Sequence, residues 1–344
     1  MPQMPAFDHE PLTVVVTGAS AGVGRAIAHR FAAEHARIGL IARDPAALDA
    51  VKAEVEQLGG RALPLPCDVA DPDAVFAAAK AVEDAFGPID VWINNAMVTV
   101  FSPVWDLTPE EFRRVTEVTY LGFVHGTMAA LRRIRPRDRG TIVQVGSALA
   151  YRGIPLQSAY CGAKHAIRGF TDSLRTELLH EDSAIRLTMV HLPAVNTPQF
   201  GWARTHMRHE PRPAGAVHQP EAAADAVWHA AWHAKREYWL GKSTDIAILG
   251  NALAPELADR YLAANAFEGQ SGPEPVKPNR PDNLFEPVAG RHALHGSFGG
   301  ESKPTALRLP GPATRLGAAA AALGLAAAGG FALAALTGRR RRFR

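Results

Sequence analysis

A chain of 344 residues, 47% hydrophobic and 21% charged, can bury a large core and has an ordinary globular composition. Its two cysteines, Cys67 and Cys161, exclude a disulfide framework and make a reducing compartment the expectation. The formal charge of +3 comes from the end of the chain: five Arg stand in the last six residues, leaving 32 basic against 34 acidic residues elsewhere, so no nucleic-acid surface is expected on the body.

Residues 1–10 carry acids and no long apolar run, which reads as a short N-terminal tail rather than a secretory signal. Leu12 to Val16 is an apolar strand pattern, followed by the turn TGASAGVG and a helix. Gly18, Gly22 and Gly24 fall in a G-x-x-x-G-x-G spacing, which clears side chains where backbone must approach a pyrophosphate at a helix amino end. The next strand, Arg37 to Ala42, ends at Arg43, nineteen residues after Gly24. An acid there would bind a ribose 2′-hydroxyl and a base a 2′-phosphate, so Arg43 favours NADP over NAD. The competing assignment gives the ribose to Asp44 and leaves Arg43 as a solvated charge.

Pro45 to Leu58 reads as an amphipathic helix, Arg61 to Pro66 as a third strand leading to Asp68, and Asp71 to Phe86 as a helix capped by Asp71 with Pro72 in its first turn. Ile89 to Ile93 is a fourth strand ending at Asn94-Asn95-Ala96. Repeated strand-helix units predict an α/β fold, a doubly wound parallel sheet with ligands at the carboxyl ends of its strands. Pro109 to Arg135 predicts one long helix.

Thr141 to Leu179 carries the chemistry. A β-branched strand stops at Gly146-Ser147, and helical spacing begins near Gln157. Tyr160 and Lys164 lie four apart on that helix, which puts phenol and ammonium on one face. A cation beside a phenol favours the phenolate and lowers its pKa. Ser147, thirteen residues before Tyr160, is placed to hydrogen-bond the oxygen that Tyr160 protonates or deprotonates.

With these residues together, the chain from about Pro11 to Gly250 resembles the short-chain dehydrogenase/reductase family. The resemblance implies that Gly18, Gly22 and Gly24 cradle an NADP cofactor, with Ser20, Val23 and Ala96 among its contacts. It implies that Asp68 meets the adenine and that Asn94 supports the fourth strand beside the adenosine ribose. Tyr160 would be the acid/base, Lys164 would bind the nicotinamide ribose and lower the Tyr160 pKa, and Ser147 would orient the carbonyl. Pro193-Ala194-Val195-Asn196-Thr197 resembles the family's Pro-Gly segment, which implies that Pro193 would line the cofactor and Thr197 would be positioned for the carboxamide. Thr119 stands where the family has Asn, which implies an altered proton relay through a water held by its hydroxyl; Met97 and Ala194 each replace a Gly. A homodimer or homotetramer is also implied.

Phe200, Trp202, Met207, Leu149, Tyr151, Ile154, Leu156 and Met97 predict an apolar substrate pocket. His229 and His233, four apart, lack a third ligand, so no metal site is expected. Residues 11–267 form the expected catalytic domain, and residues 268–315, dense in Pro and Gly, a linker within which Asn283 to Pro287 is the one stretch suited to docking on the body. Leu316 to Thr337 runs 22 residues without a charge, roughly 33 Å of helix at ~1.5 Å per residue, long enough to span a membrane, while its Ala-rich composition equally suits a helix lying on the membrane or packed on protein; a basic tail, 339–344, follows. The expected protein is a cytoplasmic NADP(H)-dependent oxidoreductase of a carbonyl or alcohol carbon, attached to a membrane face by its tail. The alternatives are a cofactor-binding sensor with little turnover, and an epimerase or dehydratase of the wider superfamily.

Overall fold

The computed structural model describes residues 11–290, 292–311, 314 and 317. Eight strands form the central sheet: β1 (Thr13–Thr17), β2 (Arg37–Ala42), β3 (Arg61–Pro66), β4 (Val91–Asn94), β5 (Thr141–Ser147), β6 (Arg186–Leu192), β7 (Glu237–Leu240) and β8 (Arg308–Pro310). Their order is β8-β7-β6-β5-β4-β1-β2-β3, all parallel except β8, which pairs antiparallel to β7. The helices are α1 (Gly22–Ala32), α2 (Pro45–Gln57), α3 (Pro72–Phe86), α4 (Pro109–Val115), α5 (Gly122–Ile134), α6 (Ser158–His180), α7 (Pro220–Trp232), α8 (Lys242–Leu253) and α9 (Pro255–Gly269).

Strand alternation divides the core between the two sheet faces. Val14 and Val16 join one cluster with Ile27 and Phe31 of α1, Leu48 of α2 and Val227 of α7. Val15 joins the other with Val82 of α3, Ala130 of α5 and Leu174 of α6. This is the doubly wound α/β architecture, and it brings the Gly-rich turn and the ends of β2, β4, β5 and β6 to one edge. The expected cap of α3 is present, with the Asp71 carboxylate accepting from the N–H groups of Asp73 and Ala74.

The helix expected from Pro109 to Arg135 is divided by a π-helical turn, Thr116–Leu121, between α4 and α5. A capping box starts it: Thr108 accepts from the Glu111 N–H and Glu111 accepts from the Thr108 N–H. Glu111, almost fully buried, also meets His206 at 3.0 Å and Arg204 at 3.3 Å. The start of α4 thereby holds the loop after β6.

The segment expected as a linker is instead packed on the body. Ser271–Pro275 pairs antiparallel with His209–Pro211, and β8 closes the β7 edge of the sheet. Leu284 is fully buried in the second core cluster. Proline and glycine hid this because the contacts are short strands and single anchors, which leave no period to read. Residues 1–10 and the basic tail, 339–344, lie outside the described residues, as do residues 316–337 but for Gly317. Among the described residues no helix is long and apolar enough to cross a membrane.

The docked segment makes a stability prediction. Emptying a buried leucine site costs about 2–5 kcal/mol, so a chain cut after Gln270 should unfold at distinctly lower urea concentration than one cut after Gly311. Equal midpoints by circular dichroism would show that the segment adds nothing to the body.

Candidate active site

The cleft at the strand carboxyl ends is lined by Gly18, Ser20, Gly22, Val23, Gly24, Arg43, Asp68, Ala96, Ser147, Tyr160, Lys164, Pro193 and Thr197. Residues from seven separate stretches of chain thus meet in one place. The turn after β1 depends on glycine for its own closure: a Cβ on Gly24 would lie 2.0 Å from the Gly18 carbonyl oxygen, and Gly22 has φ +52° with the Thr197 side chain close above it. These bare backbones at the amino end of α1 are the cradle that a dinucleotide's pyrophosphate fits, although the Gly22 N–H is itself engaged by the Ala293 carbonyl at 2.9 Å.

Ser147 closes β5, and its hydroxyl accepts from the Leu149 N–H at 3.1 Å. Tyr160 lines the same cleft, and the nearby Ser147 side chain favours the charged form of its phenol. The Ser147 carbonyl faces His191 Nδ1 at 3.1 Å, and the other nitrogen of that buried ring lies 3.3 Å from buried Glu237. Tyr151 and Trp239 donate to the same carboxylate at 2.5 and 3.1 Å. A buried polar network therefore fixes the backbone behind Ser147.

Lys164 is 2% exposed and donates to the Val145 carbonyl at 2.8 Å. Its ammonium sits 4.6 Å from the Phe123 ring and 5.6 Å from the Tyr160 ring. Burial alone pushes it down to about 7. The Tyr160 phenol is displaced upward, because burial outweighs the influence of Ser147. The expectation that Lys164 lowers the Tyr160 pKa is therefore corrected for the protein by itself: both groups resist charging in this dry site.

Two further assignments change. Asn94 does not line the cleft. It shares the Trp92 face of β4 and is fully buried, where its carbonyl accepts from Trp92 Nε1 at 2.8 Å and its amide donates to Thr127 at 3.0 Å and Gln144 at 2.9 Å. Asn95 takes the cleft side, donating to the Thr17 carbonyl at 2.9 Å and so tying the end of β4 to the Gly-rich turn. The period of two along a strand carried this signal. Thr119, in the π-helical turn, lies outside the cleft lining. Its hydroxyl donates to the Val98 carbonyl at 2.8 Å and accepts from the Val98 N–H at 3.0 Å. It positions the lining segment Met97–Thr99 instead of holding a water for the lysine.

Arg43 is at the cleft as expected, but its guanidinium donates to backbone carbonyls of the docked segment: Asn283 at 2.5 Å, Phe285 at 2.8 Å and Leu284 at 3.4 Å. Asp68 forms an ion pair with Arg114, which composition and spacing did not single out. Of the expected pocket residues, Met97, Leu149, Ile154, Phe200 and Trp202 line the cleft, joined by Phe101. Tyr151 turns away to Glu237, Leu156 is core, and Met207 lies outside the lining. Among the described residues no group of three or more metal-ligating side chains converges, and the rings of His229 and His233 stack at 4.2 Å.

Lys164 yields a stability test. Its pKa falls from 10.5 unfolded to about 7 folded, so between those values the unfolded chain binds the extra proton and stability rises with pH. Below about pH 7 the full burial cost of the charge is present. Lys164→Met should then be the more stable protein at pH 6, by an amount on the order of a few kcal/mol. That advantage should shrink steadily toward pH 10, read as urea midpoints of the two proteins side by side. A constant difference across that range would refute the shifted ammonium.

The sequence profile of the short chain dehydrogenase family matches residues 12–207. The chain is 33% identical over 282 residues to the uncharacterized oxidoreductase YxnA of Bacillus subtilis, covering 81% of this chain and 79% of that protein. It is 31% identical over 218 residues to a fatty acyl-CoA reductase of Acinetobacter baylyi, covering 63% and 71%. Among solved structures it resembles a 3-oxoacyl-[acyl-carrier protein] reductase with bound NAD from Brucella melitensis, at TM-score 0.55 and 30% identity over 65% of this chain and 85% of that one. With the sheet order, the glycine turn and the Ser147, Tyr160 and Lys164 cluster already in place, these likenesses establish that the chain belongs to the short-chain dehydrogenase/reductase family of oxidoreductases.

Proposed function

We propose that this protein is an NADP(H)-dependent oxidoreductase that interconverts a carbonyl and a secondary alcohol on a lipophilic substrate. The observation that carries the reading is the meeting of Ser147, Tyr160 and Lys164, the last two one helical turn apart, in the cleft that the glycine turn also lines. The nicotinamide, when bound, supplies or accepts the hydride. Tyr160, kept protonated by burial, donates its phenolic proton to the carbonyl oxygen during reduction and takes it back during oxidation. Ser147 holds that oxygen in line with the phenol. Lys164, with its proton near balance at neutral pH, is suited to hand a proton toward Tyr160 or to grip a ribose hydroxyl.

Arg43 supports the choice of NADP, since a guanidinium has five N–H donors and the carbonyls of residues 283–285 take only part of that set. Phe101, Leu149, Ile154, Phe200 and Trp202 support an apolar substrate, and the names of the two acyl-chain reductases above point the same way. We assign contacts between copies in a homodimer or homotetramer to the helices that leave Phe112, Met128 and Leu179 exposed.

A cofactor-binding sensor with little turnover is the competing reading, favoured by Thr119, whose hydroxyl is engaged with Val98 and not with a proton relay. Tyr160→Phe separates the two. As an oxidoreductase, the variant keeps its NADPH affinity and loses about 10² to 10⁴ in turnover, the usual contribution of a positioned acid/base group. Turnover within a few-fold of the wild type, followed as NADPH absorbance with a panel of lipophilic ketones, would refute the role of Tyr160.

The cofactor choice has its own measurement. Titration calorimetry of the wild type should give NADPH at least ~10-fold tighter binding than NADH, about 1.4 kcal/mol. Arg43→Asp should reverse that order. Equal affinities in the wild type would remove the NADP assignment.

A further inference from the structure

The segment that holds Arg43 comes from the far end of the chain and is built into the cleft. Asn283, Pro287, Val288 and His292 line the same cavity as the glycine turn. The segment is pinned at several points. Leu284 is fully buried, and its carbonyl accepts from Arg114 Nε at 3.1 Å as well as from Arg43. The Leu284 N–H donates to Asp282, whose carboxylate pairs with Arg204 at 2.9 Å. The Asn283 N–H donates to the Trp202 carbonyl at 2.9 Å. Farther along, the Ala293 carbonyl accepts from the Gly22 N–H at 2.9 Å, and the His292 carbonyl accepts from Arg25 at 3.1 Å. Backbone carbonyls of one strap thus occupy donors at both ends of the adenosine half of the cleft, Gly22 and Arg43.

Neutral carbonyls hold a guanidinium less strongly than a phosphate does, because the phosphate adds a full opposite charge and a paired geometry to the bonds of the ionised donor. A ligand carrying a 2′-phosphate must nevertheless compete with three of them for Arg43, whereas a ligand carrying a 2′-hydroxyl has no need of the guanidinium. The pairing of cofactor and protein is then decided at two layers: Arg43 supplies the positive charge, and the strap controls how much of it is on offer.

We propose that residues 283–285 are a cofactor-specificity determinant, a backbone clamp on Arg43 that moderates the preference for NADP(H) over NAD(H). The inference rests on the reading of Arg43 as the group that grips the 2′-phosphate. The clamp acts through main-chain atoms, so the side-chain identities of Asn283 and Phe285 matter less than the docking of Leu284.

The test is to loosen the strap and compare both cofactors by calorimetry on the full chain. Leu284→Ser removes the buried anchor. Asp282→Asn, outside the core, breaks the Arg204 pair and serves if the first variant does not fold. Releasing carbonyls from Arg43 should tighten NADPH by at least about fivefold, roughly the 1 kcal/mol of one hydrogen bond no longer competed for, with NADH changed by less than about twofold. In an Arg43→Met background the same strap changes should leave the NADPH to NADH ratio where it was. Hydrogen exchange gives a readout independent of the variants: in the wild type, NADPH and not NADH should speed exchange of the Asn283 and Leu284 amides. Equal tightening of both cofactors would make the strap a general lid and overturn the proposal, as would no change in either. Wild-type protein that binds both cofactors equally would by contrast strike at the NADP reading. In that case, strap variants that newly favour NADPH would still support the clamp, and variants that do not would refute it.

Discussion

Burying the ammonium of Lys164 is the constraint to which the centre of the molecule answers. A cation almost without solvent, satisfied by the Val145 carbonyl and set against two aromatic rings, is costly to keep charged. The sheet makes the arrangement possible by packing α6 closely on β5, so that the carbonyl at the end of the strand meets a side chain rising from the helix. The same dryness keeps the Tyr160 phenol protonated and the Cys161 thiol raised to about 11. Where Lys164, Tyr160 and Cys161 all resist charge, a proton moves only when something else in the cleft changes the balance.

That Ser147, Tyr160 and Lys164 meet was legible in the sequence because they lie in two adjacent elements with fixed periods. Four residues on a helix place Tyr160 with Lys164, and a strand ending in Ser147 feeds that helix directly. The glycine turn was legible for a similar reason. Asn94 misled because three candidate residues follow one another at a strand end, and only the two-residue alternation, with Trp92 as its guide, says which faces inward. Thr119 misled differently. A hydroxyl in a family asparagine's place fits a water, but a π-helical turn aims it at the Val98 backbone, and that register is a tertiary effect.

Residues 268–311 were the least legible part. Their contacts are made by backbone atoms and by isolated anchors such as Leu284, for which neither composition nor periodicity carries a signature. Arg43 and Arg114 on the body donate to carbonyls of this segment, and Arg280 within it donates to carbonyls of the body, pairings that no spacing in the sequence signals. Each one serves as a fixed donor to main-chain carbonyls. The outcome is a cleft whose walls come from opposite ends of the chain, with the loop at Trp202 and Arg204 joined to the Arg43 side through Asn283 and Asp282.

The position of β8 bears on how the protein is made. The parallel sheet ends at β7, whose outer row of N–H and C=O groups is a template for any extended chain until Leu309 pairs with Trp239. That covering strand is about seventy residues farther along the chain than β7 and is the last sheet strand to be synthesised. During translation the Rossmann core therefore carries an unpaired edge flanked by apolar Trp239 and Leu240. Edge-to-edge association of nascent chains is the hazard that the late strand removes, and a chain that ends early keeps it.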